Sequence, residues 1–123
     1  MSQVSAVTTH VLDTARGVPA AGVMVRLEQA SGTGRTEIAR TRTDADGRAS
    51  GLGPERLPPG TYRLVFDTAE YLASAHPGES GSQDRRAAFF PEVAITFTVG
   101  GESPHYHVPL LLSPFGYTTY RGS

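Results

Sequence analysis

Val93-Ala94-Ile95-Thr96-Phe97-Thr98-Val99, followed by Gly100-Gly101, is the stretch that decides the fold. Val93, Ile95, Phe97 and Val99 fall on one face of an extended chain, and Ala94, Thr96 and Thr98 on the other. A period of two with β-branched and aromatic residues on the apolar side is a half-buried strand. The two glycines read as the opening of a hairpin, with His105 to Ser113 running back as the next strand. Pro109 lies inside that run and has no N–H to give, so it requires an unpaired position or a bulge.

The same punctuation repeats outward. The 14 glycines and 9 prolines fall between short alternating segments. From Ser5 to Asp13, Val7, Thr9 and Val11 share one face, and Ala6, Thr8, His10 and Leu12 the other. A turn at Gly17-Val18-Pro19 leads to Val23, Val25 and Leu27, which alternate with Met24, Arg26 and Glu28. Ser31 to Arg35 is a loop, and Thr36 to Thr43 a weaker, more polar strand. Asp44-Ala45-Asp46-Gly47 is a tight turn in which Gly47 suits a positive φ. Beyond Pro58-Pro59-Gly60, Tyr62, Leu64 and Phe66 alternate with Arg63 and Val65. Thr68 to Ser74 suits a short helix with Thr68 as its cap. His76 to Arg86 is polar and reads as a mobile surface loop, with His76 solvated. After the turn Ser113 to Gly116, Tyr117 to Tyr120 suits a last strand. About seven or eight strands at this spacing, with one short helix, read as an all-β sandwich.

The chain has 123 residues, the length of one domain, residues 1–123, able to bury a core without cross-links. It has no cysteine, which excludes disulfides and thiolate metal sites. All 11 basic residues are arginine, which excludes Schiff-base chemistry on lysine. They balance 12 acidic residues to a formal net charge of -1, against a nucleic-acid partner. No apolar run approaches the roughly 20 residues that span a bilayer, so no membrane partner is expected. Neither a signal peptide nor a peroxisomal address is visible, and the expected location is cytoplasmic.

Histidine titrates near neutrality and is the natural carrier of proton chemistry. His105 and His107, two apart, share a strand face, and His10 lies within the first strand. Two chemistries fit. One is a three-histidine zinc site that activates water. The other is metal-free general-base catalysis, with a histidine taking a proton from water and an arginine holding substrate or stabilising negative charge. Arg48, directly after the tight turn, is a candidate for that arginine; a solvated surface arginine is the simpler account of it. The last four residues, Tyr120-Arg121-Gly122-Ser123, combine an aromatic group, a cation and a glycine where chain ends usually fray.

Three separated motifs resemble the 5-hydroxyisourate hydrolase, transthyretin-related family. They are Thr9-His10-Val11-Leu12-Asp13 with Gly17-x-Pro19-Ala20, then Thr43-Asp44-x-Asp46-Gly47-Arg48, and then His105-Tyr106-His107-Val108-Pro109-Leu110-Leu111-Leu112-Ser113 continuing to Gly116-Tyr117 and the terminal Tyr-Arg-Gly-Ser. Phe89-Phe90-Pro91-Glu92 also fits. The terminal tetrapeptide is the part that separates the hydrolases from transthyretin itself. The resemblance implies a transthyretin-like β-sandwich of two four-stranded sheets with one short helix, assembled as a homotetramer (a dimer of dimers) with active sites in the channel between dimers. It implies hydrolysis of the small-molecule substrate 5-hydroxyisourate at its N1–C6 amide bond, giving 2-oxo-4-hydroxy-4-carboxy-5-ureidoimidazoline in urate degradation, without cofactor or metal. His10 and His107 then activate water, and Arg48, Tyr120, Ser123 and His105 bind substrate. The segment His76 to Ala88 is longer than the family pattern and reads as a surface insertion. A carrier of small aromatic ligands and an accessory sandwich domain of a peptidase are the alternatives; a carrier does not require the histidines, the arginine and the terminal tyrosine, and the functional-looking terminus argues against the accessory domain.

Overall fold

The computed structural model describes residues 5–77, 88–101 and 104–123. Among these residues, ten strand segments form two facing sheets, with one helix beside them. The first sheet is built on β1 (Val7–Asp13), which is flanked on one side by β2 (Val18–Pro19) and β5 (Arg48–Ala49). On its other side lie β8 (Tyr106–His107) and β9 (Leu110–Ser113), and β10 (Gly116–Thr119) follows β9 at the edge. Four strand positions therefore make this sheet, with two of them split into short segments. The second sheet has the order β4 (Gly34–Arg42), β3 (Met24–Ser31), β6 (Gly60–Asp67), β7 (Val93–Val99). The helix α1 (Thr68–Ala75) follows β6 directly. The expected sandwich with one short helix is the fold observed.

The alternation read in β1 holds along its length: Val7, Thr9, Val11 and Asp13 are buried, and Thr8, His10 and Leu12 are half-buried on the outer face. Inward residues of both sheets, including Val7, Val11, Leu27, Tyr62, Leu64, Phe66, Leu110 and Leu112, make one core, with Leu72 of α1 against it. Burying such side chains stabilises by about 1.5–3 kcal/mol each. Polar groups that enter the core are matched. The Tyr62 hydroxyl, for example, donates to the Pro58 carbonyl at 2.6 Å.

Four expectations need correction. The link through Gly100-Gly101 is no hairpin. Among the described residues β7 pairs only with β6, and β8 and β9 belong to the opposite sheet, where both run parallel to β1. Gly101 takes a positive φ of 86° with its α-carbon packed toward Pro59, and the chain crosses between layers there. An apolar face pairs equally well in a hairpin or across the sandwich, so alternation alone is silent on this point. Thr68 is no cap: Asp67 is the N-cap residue, without a side-chain capping bond, and the Thr68 hydroxyl instead donates to the Phe90 carbonyl. Glu28 is buried rather than outward, where Arg26 and Arg63 bind its carboxylate at 2.8 and 2.9 Å. A register shift between Leu27 and Glu28 against β4 marks the irregularity.

His76 is the fourth. It is 4% exposed, not solvated, and its Nε2 lies 2.7 Å from Asp13 Oδ2. Asp13 is itself 1% exposed and also accepts from the Tyr71 hydroxyl at 2.7 Å and the Arg16 N–H at 3.0 Å. Burial alone would raise the Asp13 pKa, but these hydrogen bonds outweigh it and hold the carboxyl below its usual value. Tyr71, half-buried against that carboxylate, is pushed up to about 12. Of the expected surface insertion His76 to Ala88, Ala88 is also buried, in the core, and residues 78–87 lie outside the described residues.

Candidate active site

The outer face of the first sheet gathers the chemistry. β1 contributes Thr8 and His10 from alternate positions. In antiparallel register, His10 stands opposite Arg48 of β5. In parallel register, Thr8 stands opposite His107 of β8. Three strands distant in sequence thus place a histidine, an arginine and a second histidine around one central strand.

The turn before Arg48 is built by Asp44. Its Oδ1 accepts from the N–H groups of Asp46 and Arg48 at 2.9 and 3.0 Å, and its carbonyl accepts from Gly47 at 2.9 Å. Gly47 has φ 77°, and its α-carbon packs so closely that an added Cβ would lie 2.4 Å from the Val11 carbonyl oxygen. Only glycine fits there. The Gly47 carbonyl in turn accepts from the Val11 N–H at 2.7 Å, which ties the turn to β1 beside His10. His10 Nε2 lies 2.9 Å from the Asp46 carbonyl. A carbonyl only accepts, so Nε2 carries the proton, and Nδ1 is the basic nitrogen of the neutral ring.

His107 is held at both ends. Its Nδ1 lies 2.8 Å from Thr8 Oγ1, and its carbonyl accepts from the Gly122 N–H at 2.8 Å in an isolated bridge. The chain end therefore folds back over this histidine. An added Cβ on Gly122 would come within 2.7 Å of His107 Cδ2, so a side chain there is excluded while the ring stays in place. Arg121 sits with its guanidinium carbon 4.7 Å from the Tyr106 ring centroid, a cation–π contact that anchors the tail. Burial lowers the His107 pKa below 6.5, and the nearby charges of His105, Arg48 and His10 lower it further. The lowered pKa favours the neutral ring, the form a general base must have.

A cavity of about 290 Å³ opens here, lined by Thr8, Arg48, Ser50, His105, His107 and Ser123 among others. Its size suits a small heterocycle, just under the range of about 300–1,000 Å³ common for larger ligands. Of the residues expected at the site, His105, His107, Arg48 and Ser123 line this cavity, and His10 adjoins it through Arg48. Tyr120 does not face it within one chain. It is 56% exposed and lines a separate, more apolar cavity with Ile95, Phe97 and Tyr106. Among the described residues, no three His, Asp or Glu side chains converge to hold a metal ion.

Thr8 acquires a role that sequence reading did not assign. Thr8 shares the outer face with His10 by simple alternation, which was a usable signal; its contact with His107 depends on the parallel register, which was not.

A two-sheet sandwich with one short helix, whose outer-sheet histidines and arginine meet a returning chain terminus, defines a transthyretin-type domain. The family model described as the HIUase/Transthyretin family matches residues 7–122, and the chain belongs to that family. A 5-hydroxyisourate hydrolase of Deinococcus radiodurans is 46% identical over 129 aligned positions covering 100% of both chains. The solved 5-hydroxyisourate hydrolase of Klebsiella pneumoniae superposes with a TM-score of 0.77 at 34% identity, covering 97% of this chain and 100% of that one. Transthyretin from Sparus aurata superposes with a TM-score of 0.81, also at 34% identity, over 95% and 96% of the two chains.

Proposed function

We infer that the chain is a hydrolase that opens 5-hydroxyisourate at its N1–C6 amide, in urate degradation. The observation that carries the reading is the convergence of His107, His105, Arg48 and Ser123 on one small cavity, in a chain nearly half identical to a 5-hydroxyisourate hydrolase along its whole length. The likeness to transthyretin supplies the scaffold but gives no use for a half-buried histidine beside an arginine.

The His107 Nε2 lone pair takes a proton from water as the water oxygen attacks C6. Negative charge grows on the carbonyl oxygen, where the Arg48 guanidinium stabilises it with paired N–H donors. The C6–N1 bond then breaks, and the histidinium returns its proton to N1, so the ring leaves the cycle neutral. His10, with its Nδ1 basic, is a second proton carrier on the same sheet face. General-base help of this kind is worth about 10²–10⁴-fold.

Assembly as a homotetramer fits this reading, because Tyr120 reaches a substrate cavity only if a second copy brings one against it. No helix among the described residues is long and apolar enough to cross a membrane. The near-neutral charge favours a small-molecule substrate over nucleic acid, and the location we assign is the cytoplasm.

The test compares wild type with His107→Ala and Arg48→Ala on freshly generated 5-hydroxyisourate. Each substitution is expected to lower kcat/KM by about 10²–10⁴-fold with circular dichroism unchanged. Wild-type rates in either variant overturn its assignment. EDTA is expected to leave the rate unchanged; loss of activity restored by a divalent metal would return the zinc mechanism.

A further inference from the structure

The mechanism above uses His107 as a base but leaves open what sets the position of its proton. The Thr8 hydroxyl lies between two imidazoles, 3.1 Å from His105 Nε2 and 2.8 Å from His107 Nδ1. The rings are nearly parallel, 14° apart in plane, with centroids separated by 6.5 Å. Thr8 stands opposite His107 in the parallel ladder, and His105 lies two residues earlier on the same face.

A threonine hydroxyl has one proton to donate and lone pairs to accept with. Between two ring nitrogens it donates to one, so the other must carry a proton of its own to be bonded. Two arrangements of the neutral pair result. In one, His107 Nδ1–H donates to Thr8 and Thr8 donates to His105 Nε2. His107 then has its lone pair on Nε2, free to receive a proton from water. In the other, His105 Nε2–H donates to Thr8 and Thr8 donates to His107 Nδ1. The lone pair of His107 is then occupied by Thr8, its proton sits on Nε2, and it offers no base. A protonated His105 carries hydrogen on both nitrogens and permits only this second arrangement.

We propose that Thr8 is a positioning residue that couples the tautomers of His105 and His107, so that His107 presents a basic Nε2 only while His105 Nε2 is unprotonated. The proposal rests on the hydrolase reading and adds to it a proton sensor, His105, that acts through one hydroxyl. No bond is made or broken in this coupling; the hydroxyl proton swings from one ring to the other as the ring protons exchange. Besides His105, the charged or titratable groups that act on His107 are Arg48 and His10, and Ser123 lines the same cavity. His105 itself lines a second cavity with the charged residues Glu55 and Arg56.

The experiment uses the whole chain, labelled with ¹⁵N-histidine, and long-range ¹H–¹⁵N spectra across pH, beside steady-state kinetics. In wild type, His107 is expected as the Nδ1–H tautomer wherever His105 Nε2 is unprotonated, and as Nε2–H wherever His105 Nε2 carries a proton. Thr8→Val removes the hydroxyl at nearly constant volume. It is expected to free the His107 tautomer from the His105 titration and to lower kcat by about 10–100-fold, the usual cost of losing a group that orients a functional imidazole, with KM within about twofold. Thr8→Ser keeps the hydroxyl and is expected to restore both. Finding His107 as Nε2–H in active wild type, a His107 tautomer that ignores His105, or wild-type kcat in Thr8→Val overturns the proposal. If Thr8→Val fails to fold, the wild-type and Thr8→Ser spectra still decide it. An inactive wild type defeats the hydrolase reading instead, while the spectra continue to report the coupling.

Discussion

Replacing Gly122 with alanine tests whether the returning chain end positions His107. The built Cβ lies 2.7 Å from His107 Cδ2, 3.3 Å from Pro109 Cγ and 3.4 Å from His107 Cγ. Carbon atoms in contact prefer about 3.5–4.0 Å, so ring and tail must separate by about 1 Å. Pro109 is buried between β8 and β9, which leaves the imidazole or the tail to move. If the ring moves, the proton-accepting nitrogen shifts by a similar amount, and a misplacement of about 1 Å can cost about 10²-fold in rate. If the tail moves, the bridge from Gly122 N–H to the His107 carbonyl is lost, at about 1 kcal/mol of stability, and Ser123 leaves the cavity. Either route predicts a fall in kcat/KM of about 10–100-fold with a small change in thermal midpoint. The assay is ultraviolet decay of 5-hydroxyisourate beside a thermal melt. Wild-type kcat/KM in Gly122→Ala would refute the claim that this contact sets the histidine.

Gly47→Ala is expected to destabilise the fold by about 2–4 kcal/mol, because a positive φ and a clash with the Val11 carbonyl coincide there; chemical denaturation measures it, and a loss under about 0.5 kcal/mol would show that the turn relaxes freely. The pH profile of kcat/KM should fall on the acid side, since the base works when neutral and burial and nearby charges hold the His107 pKa down; a rate that rises as pH falls from neutrality would count against His107 as the base. Asp13→Ala leaves the Tyr71 hydroxyl and the buried His76 without their shared acceptor and should cost about 3 kcal/mol or more. In wild type, the Asp13 contribution is fully present above the ordinary carboxylate pKa and is lost as pH falls through its lowered folded value, so acid unfolding of wild type should steepen below about pH 4. An Asp13→Ala protein with the wild-type acid transition would remove that explanation.

The individual strands were legible because each carries its own alternation. β1, β3, β6, β7 and the turn at Gly47 follow from local residue types. What was hidden is how strands pair. Nothing in Val93–Val99 or the following glycines distinguishes a hairpin from a crossing between layers, and the parallel placement of His107 beside Thr8 depends on that crossing. His76 was misread for a related reason: it stands among polar and small residues, and its buried partner, Asp13, is 63 positions away in the chain. Glu28 shows the same limit, since its burial depends on Arg26 and on Arg63 from a neighbouring strand. The site residues were legible as motifs, and their types were chemically suggestive. Their meeting on one sheet face was supplied by the registers of β5 and β8 against β1. Tyr120 was grouped with the rest by sequence, whereas one folded chain turns it toward a different cavity.

The most direct test of the account is the lifetime of 5-hydroxyisourate, generated from urate and followed by ultraviolet absorbance, with and without this protein. The account predicts that catalytic amounts of wild type accelerate the decay in proportion to enzyme concentration, and that His107→Ala at equal concentration does not. A decay rate that wild type leaves unchanged, or that both proteins raise equally, would contradict it.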